Sequence, residues 1–275
     1  KREIFLVAAF GILAGFSGIV IDYLDKFLVG KYLGLSEAGV YTIVFFIGGM
    51  ILLPFRALNK ISSTLIAECW KENDVTTIND IYKKSSLNQF LFGMFLFGLI
   101  ALNLTNIFDF LPKEYIKGQW VLVIVAISNV FIMISGVSYA IISTARYYWY
   151  MTLLMILQIV LVIASNILLI PKLGMIGAAC ASLISVVFIR IGSIVIVGIE
   201  SKIWPFTAKH IYLALITIIA FLACFFIPKI SNLYLDALIR STVFCILFSF
   251  STLKFNISDE LKDIHLKIKK LILKR

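Results

Sequence analysis

Residues 18–41 read GIVIDYLDKFLVGKYLGLSEAGVY. Apolar runs continue on both sides, IFLVAAFGILAGFSGIVI before the stretch ends (4–21) and VYTIVFFIGGMILLPF after it begins (40–55). Between them lies Gly34-Leu35-Ser36, a turn signal. Two helical membrane spans joined by a tight turn account for this pattern, since each span needs about 20 mostly apolar residues. The first span carries Asp22, Asp25 and Lys26 within five residues. Ionisable groups inside a bilayer are expensive, and they mark a pathway or a binding site or else pair with one another.

Composition supports a bilayer as the solvent. The 275-residue chain is 61% hydrophobic and only 15% charged, with a mean hydropathy of +1.02. Soluble domains sit near 45–50% apolar and about 25% charged, so no single soluble core buries this much apolar surface. The net charge is +10. With no soluble basic domain interleaved with aromatics, this excess reads as lysine-rich cytoplasmic loops drawn to anionic lipid, not as a nucleic-acid surface. Cys69, Cys180, Cys224 and Cys245 are far apart, and His210 and His265 are isolated, so no metal or cofactor site is expected. The chain opens Lys1-Arg2-Glu3 without methionine or a cleavable signal pattern, as a piece of a longer protein would.

Hydropathy and breakers give eight expected spans: 3–33, 37–68, 86–109, 118–145, 148–170, 174–199, 207–228 and 233–253. Pro112-Lys113, Pro171-Lys172, Pro205 and Pro228-Lys229 punctuate them. Most lysines and arginines then fall on the side of the termini, which places both termini in the cytoplasm. Residues 74–84 read as a short interfacial helix with Asp74 as N-cap, and 254–275 as a basic amphipathic tail against anionic lipid. Gly11 with Gly15, and the row Gly177, Ala181, Ser185, are close-packing devices. Gly48-Gly49 followed by Pro54 predicts a bend in the second span.

Depth follows from the distance to the Gly34 turn at 1.5 Å per residue. Lys26 and Asp25 lie roughly 12–15 Å from it, Asp22 roughly 18 Å, Arg56 roughly 28 Å and Lys60 about 34 Å. Asp22 and Lys26 are spaced for an intrahelical pair, so a purely structural charge pairing stays open. Yet Asn59, Lys60, Ser62, Ser63 and Glu68 extend the polarity along the second span. A polar stripe on two adjacent helices reads as the wall of a cavity. Arg146 and Arg190, placed near span ends, read as snorkelling anchors. No GxxxxGK[ST], GxSxG or HExxH motif is present, so nothing points to an enzyme.

IDYLDKFLVGKYLGLSEAGVYTIVF (21–45), LLPFRALNKISSTLIAECWKENDVTTINDIYKKSS (52–86) and NILLIPKLGMIGAACASLIS (166–185) resemble, in this order, the second lobe of bacterial oligosaccharide flippases. That family belongs to the multidrug, oligosaccharidyl-lipid and polysaccharide exporter superfamily. The resemblance implies an all-α integral membrane protein whose residues 1–199 form a second six-helix lobe. Residues 207–253 would then be two additional spans and 254–275 the tail, with the first lobe lying upstream. It also implies alternating access across the bacterial inner membrane, carrying an undecaprenyl-diphosphate-linked oligosaccharide for surface polysaccharide such as O-antigen. Lys26, Arg56 and Lys60 are the cations expected to meet the diphosphate, and Asp22 and Asp25 to bind a coupling proton or sodium ion or to balance charge. Membrane lipids, and glycosyltransferases or a polymerase of the same pathway, are the expected partners. Two other readings stay open: a cation-coupled multidrug exporter, whose cavity should be acid-rich, and a noncatalytic scaffold for glycosyltransferases.

Overall fold

The computed structural model describes residues 23–258 together with 260 and 262. Among these residues every regular element is helical: α1 (23–33), α2 (Leu35–Gly49), α3 (Leu53–Lys71), α4 (Val75–Leu102), α5 (Leu104–Phe110), α6 (Gln119–Ile134), α7 (Ser138–Thr144), α8 (Trp149–Ser201), α9 (Ala208–Phe225) and α10 (Leu233–Lys254). Six segments of the described chain are long and apolar enough to cross a membrane: 35–71, 75–102, 113–134, 149–201, 208–225 and 233–254.

The expected turn lies at Gly34. Its φ of +97° belongs to the left-handed region that glycine enters without a Cβ penalty, and it alone separates α1 from α2. The bend expected from Gly48, Gly49 and Pro54 is also present. Pro54 has no N–H to offer the Met50 carbonyl four residues back. A single 3₁₀ turn, Met50–Leu52, lets the Leu53 N–H serve that carbonyl instead, and α3 then starts with Pro54 in its first turn. From α6, Asn129 Nδ2 donates to the buried Gly48 carbonyl at 2.9 Å.

Several boundaries differ from the sequence expectation. Residues 74–84 are not a separate interfacial helix but the first turns of α4, which runs unbroken to Leu102. Apolar patterning marked only its later part because the early turns are polar. The expected span 118–145 is divided, since Gly136 at φ +56° ends α6 and α7 follows. The expected span 86–109 likewise divides at Asn103 into α4 and α5. Asp22, Gly11, Gly15 and most of the 254–275 tail lie outside the described residues.

Asp74 does cap α4 as expected. Its carboxylate accepts from the Thr77 N–H at 3.0 Å and the Thr76 hydroxyl at 2.6 Å. These bonds hold its pKa down at about 2, against a usual 3.8. A depressed carboxylate contributes stability that is complete above the unfolded value and lost as pH falls through the folded one. Amide exchange of Thr76–Ile78, corrected for intrinsic rates, is therefore expected to stay flat down to about pH 4 and to accelerate towards about pH 2. Asp74→Asn should keep the cap and remove this acid limb; an unchanged limb would show that another group causes it.

α8 is 53 residues long, which would stretch about 80 Å if straight, far beyond a hydrocarbon core of about 30 Å. It folds back. Gly174, three residues after Pro171, has φ +60° and ψ −138°, which breaks the helix into two arms. Cross-links between the arms converge steadily on that point. Tyr147 and Ser201 hydroxyls meet at 2.6 Å, and Tyr150 donates to Glu200 at 3.2 Å. A Cβ built on Gly192 would lie 3.3 Å from Leu154, and one on Gly177 only 2.2 Å from the Leu169 carbonyl oxygen. The arms are thus an antiparallel hairpin, as the Pro171-Lys172 breaker predicts.

Packing forms three main apolar clusters. One, at the Gly34 and Gly174 turns, joins α1, α2, α6 and the tip of α8 through Val29, Tyr41, Val44, Leu122, Ile170 and Ala178. A second, at the opposite end, joins α3, α4, α7 and both arms of α8 through Ile66, Tyr82, Ile141, Leu154 and Ile189. The third seats α9 and α10 on α4 through Leu213, Ile216 and Phe244. Because lipid tails are as apolar as these side chains, close approach and buried polar bonds carry much of the specificity of such a bundle. One polar clasp ties α10 to α5 and to the loop before α10: Asp236 accepts from Arg240 at 2.8 Å, from Asn106 at 2.8 Å and from the Ile230 N–H at 2.9 Å.

Candidate functional site

Between the two end clusters a cavity of about 530 Å³ opens among α1, α2, the start of α3, α6, α7 and both arms of α8. Lys26, Arg56 and Arg190 line it, as does Asp25, its one acidic group among the described residues. Thus two of the three cations expected from sequence, Lys26 and Arg56, meet in one space. Lys60 does not line the cavity; it is exposed one turn beyond Arg56.

Asp25 is 4% exposed and held from three other segments of the chain. Asn166 Nδ2, on the first arm of α8, donates to Oδ1 at 2.7 Å. Ser182, on the second arm, donates to Oδ2 in a short hydrogen bond, and Tyr41 on α2 makes a longer contact of 3.5 Å to the same oxygen. A buried carboxylate must be paired or well hydrogen-bonded to be tolerated, and these donors meet that need without a cation. The Asn166 Oδ1 beside it is buried with no partner.

The three cations are held differently. Lys26 Nζ lies 4.8 Å from the Tyr23 ring centre and 5.1 Å from that of Phe45. Arg56 is exposed near the start of α3. The Arg190 guanidinium stacks 3.9 Å over the Tyr139 ring of α7. Arg190 is not the snorkelling anchor expected from sequence. Its guanidinium lies over the Tyr139 ring and lines the cavity, so the side chain turns inward. Ser182, Val186 and Arg190 recur every four residues, so they share a helix face on the wall. That spacing was a readable signal, but the partner ring on α7 was not.

Ion pairs among the described residues join Lys117 to Glu37, Lys229 to Asp109 and Arg240 to Asp236. None involves a cavity cation. A unit anion about 4 Å from one such cation gains roughly 4 kcal/mol at an effective dielectric of about 20, so the space favours a negatively charged ligand. No group of three or more His, Cys, Asp or Glu able to hold a metal occurs among the described residues.

A solved structure, a MOP superfamily transporter from Pyrococcus furiosus, superposes on this chain with a TM-score of 0.57 at 15% identity. The match covers 92% of this chain and 64% of that one. The chain shares the helical fold of that part of the solved structure, less than two thirds of its length. This agrees with the superfamily the sequence resembles, at the level of architecture. No protein-family model matches the sequence, and no curated protein does.

Proposed function

We propose that the chain is part of a membrane transporter that flips an undecaprenyl-diphosphate-linked oligosaccharide across the bacterial inner membrane by alternating access. The observation that carries this reading is the convergence of Lys26, Arg56 and Arg190 on one cavity whose acid, Asp25, is already hydrogen-bonded. A lipid diphosphate concentrates negative charge, which guanidinium forks and ammonium groups bind well. An organic cation, the cargo of a multidrug exporter, would meet repulsion in the same space. In this reading α1 and the two arms of α8 count as spans, which makes eight in all with both termini cytoplasmic. Arg56 captures the headgroup and Lys26 receives it further along. Asp25, next to the unpartnered Asn166 oxygen, holds a coupling proton or sodium ion.

The test uses the natural full-length protein in proteoliposomes carrying a fluorescent undecaprenyl-diphosphate oligosaccharide, with flipping read by quencher accessibility. A charged hydrogen bond contributes about 1.5–3 kcal/mol, so Lys26→Ala and Arg56→Ala are each expected to slow flipping roughly 10- to 100-fold. Lys60→Ala, outside the cavity, should stay near wild type. Unchanged rates in both Lys26→Ala and Arg56→Ala would sink the reading.

A further inference from the structure

Arg190 combines three features that no structural role in this fold requires together. Its guanidinium carbon lies 3.9 Å from the centre of the Tyr139 ring, over the ring, which limits how the group can swing. Its Nη1 is buried without a hydrogen-bond acceptor. It faces the cavity and forms no ion pair among the described residues. A buried N–H of a charged group left without an acceptor is costly, and such an orphan in a native protein asks for an explanation. An acceptor that arrives with a ligand supplies one.

We propose that Arg190 is the fixed phosphate anchor of the cavity and that Tyr139 is its positioning residue. This rests on the anionic-ligand reading above and assigns the step at which the headgroup is held in one orientation. The planar fork of a guanidinium offers parallel N–H groups to two phosphate oxygens, and an ammonium does not. Stacking on a ring is what keeps that fork pointed before the ligand arrives, which lowers the ordering cost of binding. Arg56 contrasts with it: exposed, and without a cation–ring contact among the described residues, it attracts the headgroup without fixing its orientation. Lys26 lies between two rings but offers a point charge. The three cations therefore have distinct tasks, and only Arg190 should require its own side-chain geometry.

The experiment measures binding of farnesyl diphosphate to the full-length protein in an uncharged detergent, with farnesol and tetraphenylphosphonium as neutral and cationic comparators. Each variant is first checked for a wild-type elution profile. Arg190→Lys, which keeps the charge, is expected to weaken farnesyl diphosphate binding at least about 10-fold, as is Arg190→Ala. Arg56→Lys should lose less than about 3-fold. Tyr139→Phe should match wild type, whereas Tyr139→Leu should lose at least about 5-fold, since only the ring is needed. Wild-type affinity in Arg190→Lys, or in Tyr139→Leu, overturns the anchor assignment while leaving the anionic-ligand reading in place. A wild-type protein that prefers tetraphenylphosphonium to farnesyl diphosphate overturns the anionic-ligand reading itself, and the anchor with it.

Discussion

Gly177→Val is expected to leave almost no folded protein in the membrane. A Cβ at this position would sit 2.2 Å from the Leu169 carbonyl oxygen and 2.6 Å from its carbon. Both are backbone atoms on the opposing arm of the α8 hairpin, so no flexible side-chain end can yield. Relief requires the arms to separate beside Gly174, whose own backbone conformation already depends on having no side chain. Separation would also pull apart Asn166 and Ser182, the groups that hold Asp25 from the two arms. The expected loss exceeds about 4–5 kcal/mol, the range reached only by severe overpacking or equivalent damage. Gly192→Ala makes a useful comparison. Its added Cβ meets only the Leu154 side-chain tip, at 3.3 Å, and it should extract and elute much like wild type. Size-exclusion profiles after mild detergent extraction read both variants. A Gly177→Val protein with wild-type yield and melting temperature would mean that the hairpin does not close as described.

The second large effect is at the α10 clasp. Arg240→Ala is expected to destabilise the protein by about 3–5 kcal/mol, because it strands a buried carboxylate. Asp236 is 2% exposed, and Arg240 also donates to the carbonyls of Ile227 at 2.7 Å and Cys224 at 3.3 Å. Removing the cation therefore takes a donor from three acceptors at once and leaves the carboxylate without its counter-charge. The double variant Asp236→Asn with Arg240→Met should recover a substantial part of the loss. Its amide oxygen can still accept from the Ile230 N–H, and no uncompensated charge stays behind. Lys229–Asp109 provides the contrast, as both side chains of that pair are about half exposed. Lys229→Ala should change stability by no more than about 1 kcal/mol. Thermal unfolding in one detergent measures all three, and an Arg240→Ala protein as stable as Lys229→Ala would refute the clasp.

How much of this was legible beforehand depends on the range of the signal. The Gly34 turn, the Pro54 bend, the Asp74 cap and the reversal after Pro171 are local: each follows from a missing N–H, a missing Cβ or a capping oxygen within a few residues. Hydropathy misplaced the start of α4 because residues 75–84 are polar yet remain helical. It also missed the Gly136 break, because Ser135-Gly136, though a turn signal, sits inside an apolar run long enough to span. Among the cavity residues, Lys26 was readable as a charge too deep for lipid, and Arg56 as part of the polar stripe near the far mouth. Arg190 was misread as an anchor because nothing in its own stretch names the Tyr139 ring on α7 that its guanidinium lies over, or the cavity that it shares with α1 and α3.

Composition, spacing and breakers alone determined that the chain is a helical membrane protein, where it turns, and that some of its charges must avoid lipid. These follow from the cost of burying backbone polar groups and ions in hydrocarbon, which acts residue by residue. Only the tertiary structure decided which charges share a space. Asp25 draws its donors from Tyr41, Asn166 and Ser182, and Arg190 its ring from Tyr139, across 16 to 157 residues of chain. Such pairings depend on the rotation of each helix about its axis and on the hairpin register of α8. Packing of many side chains sets both, and no single stretch of sequence encodes them.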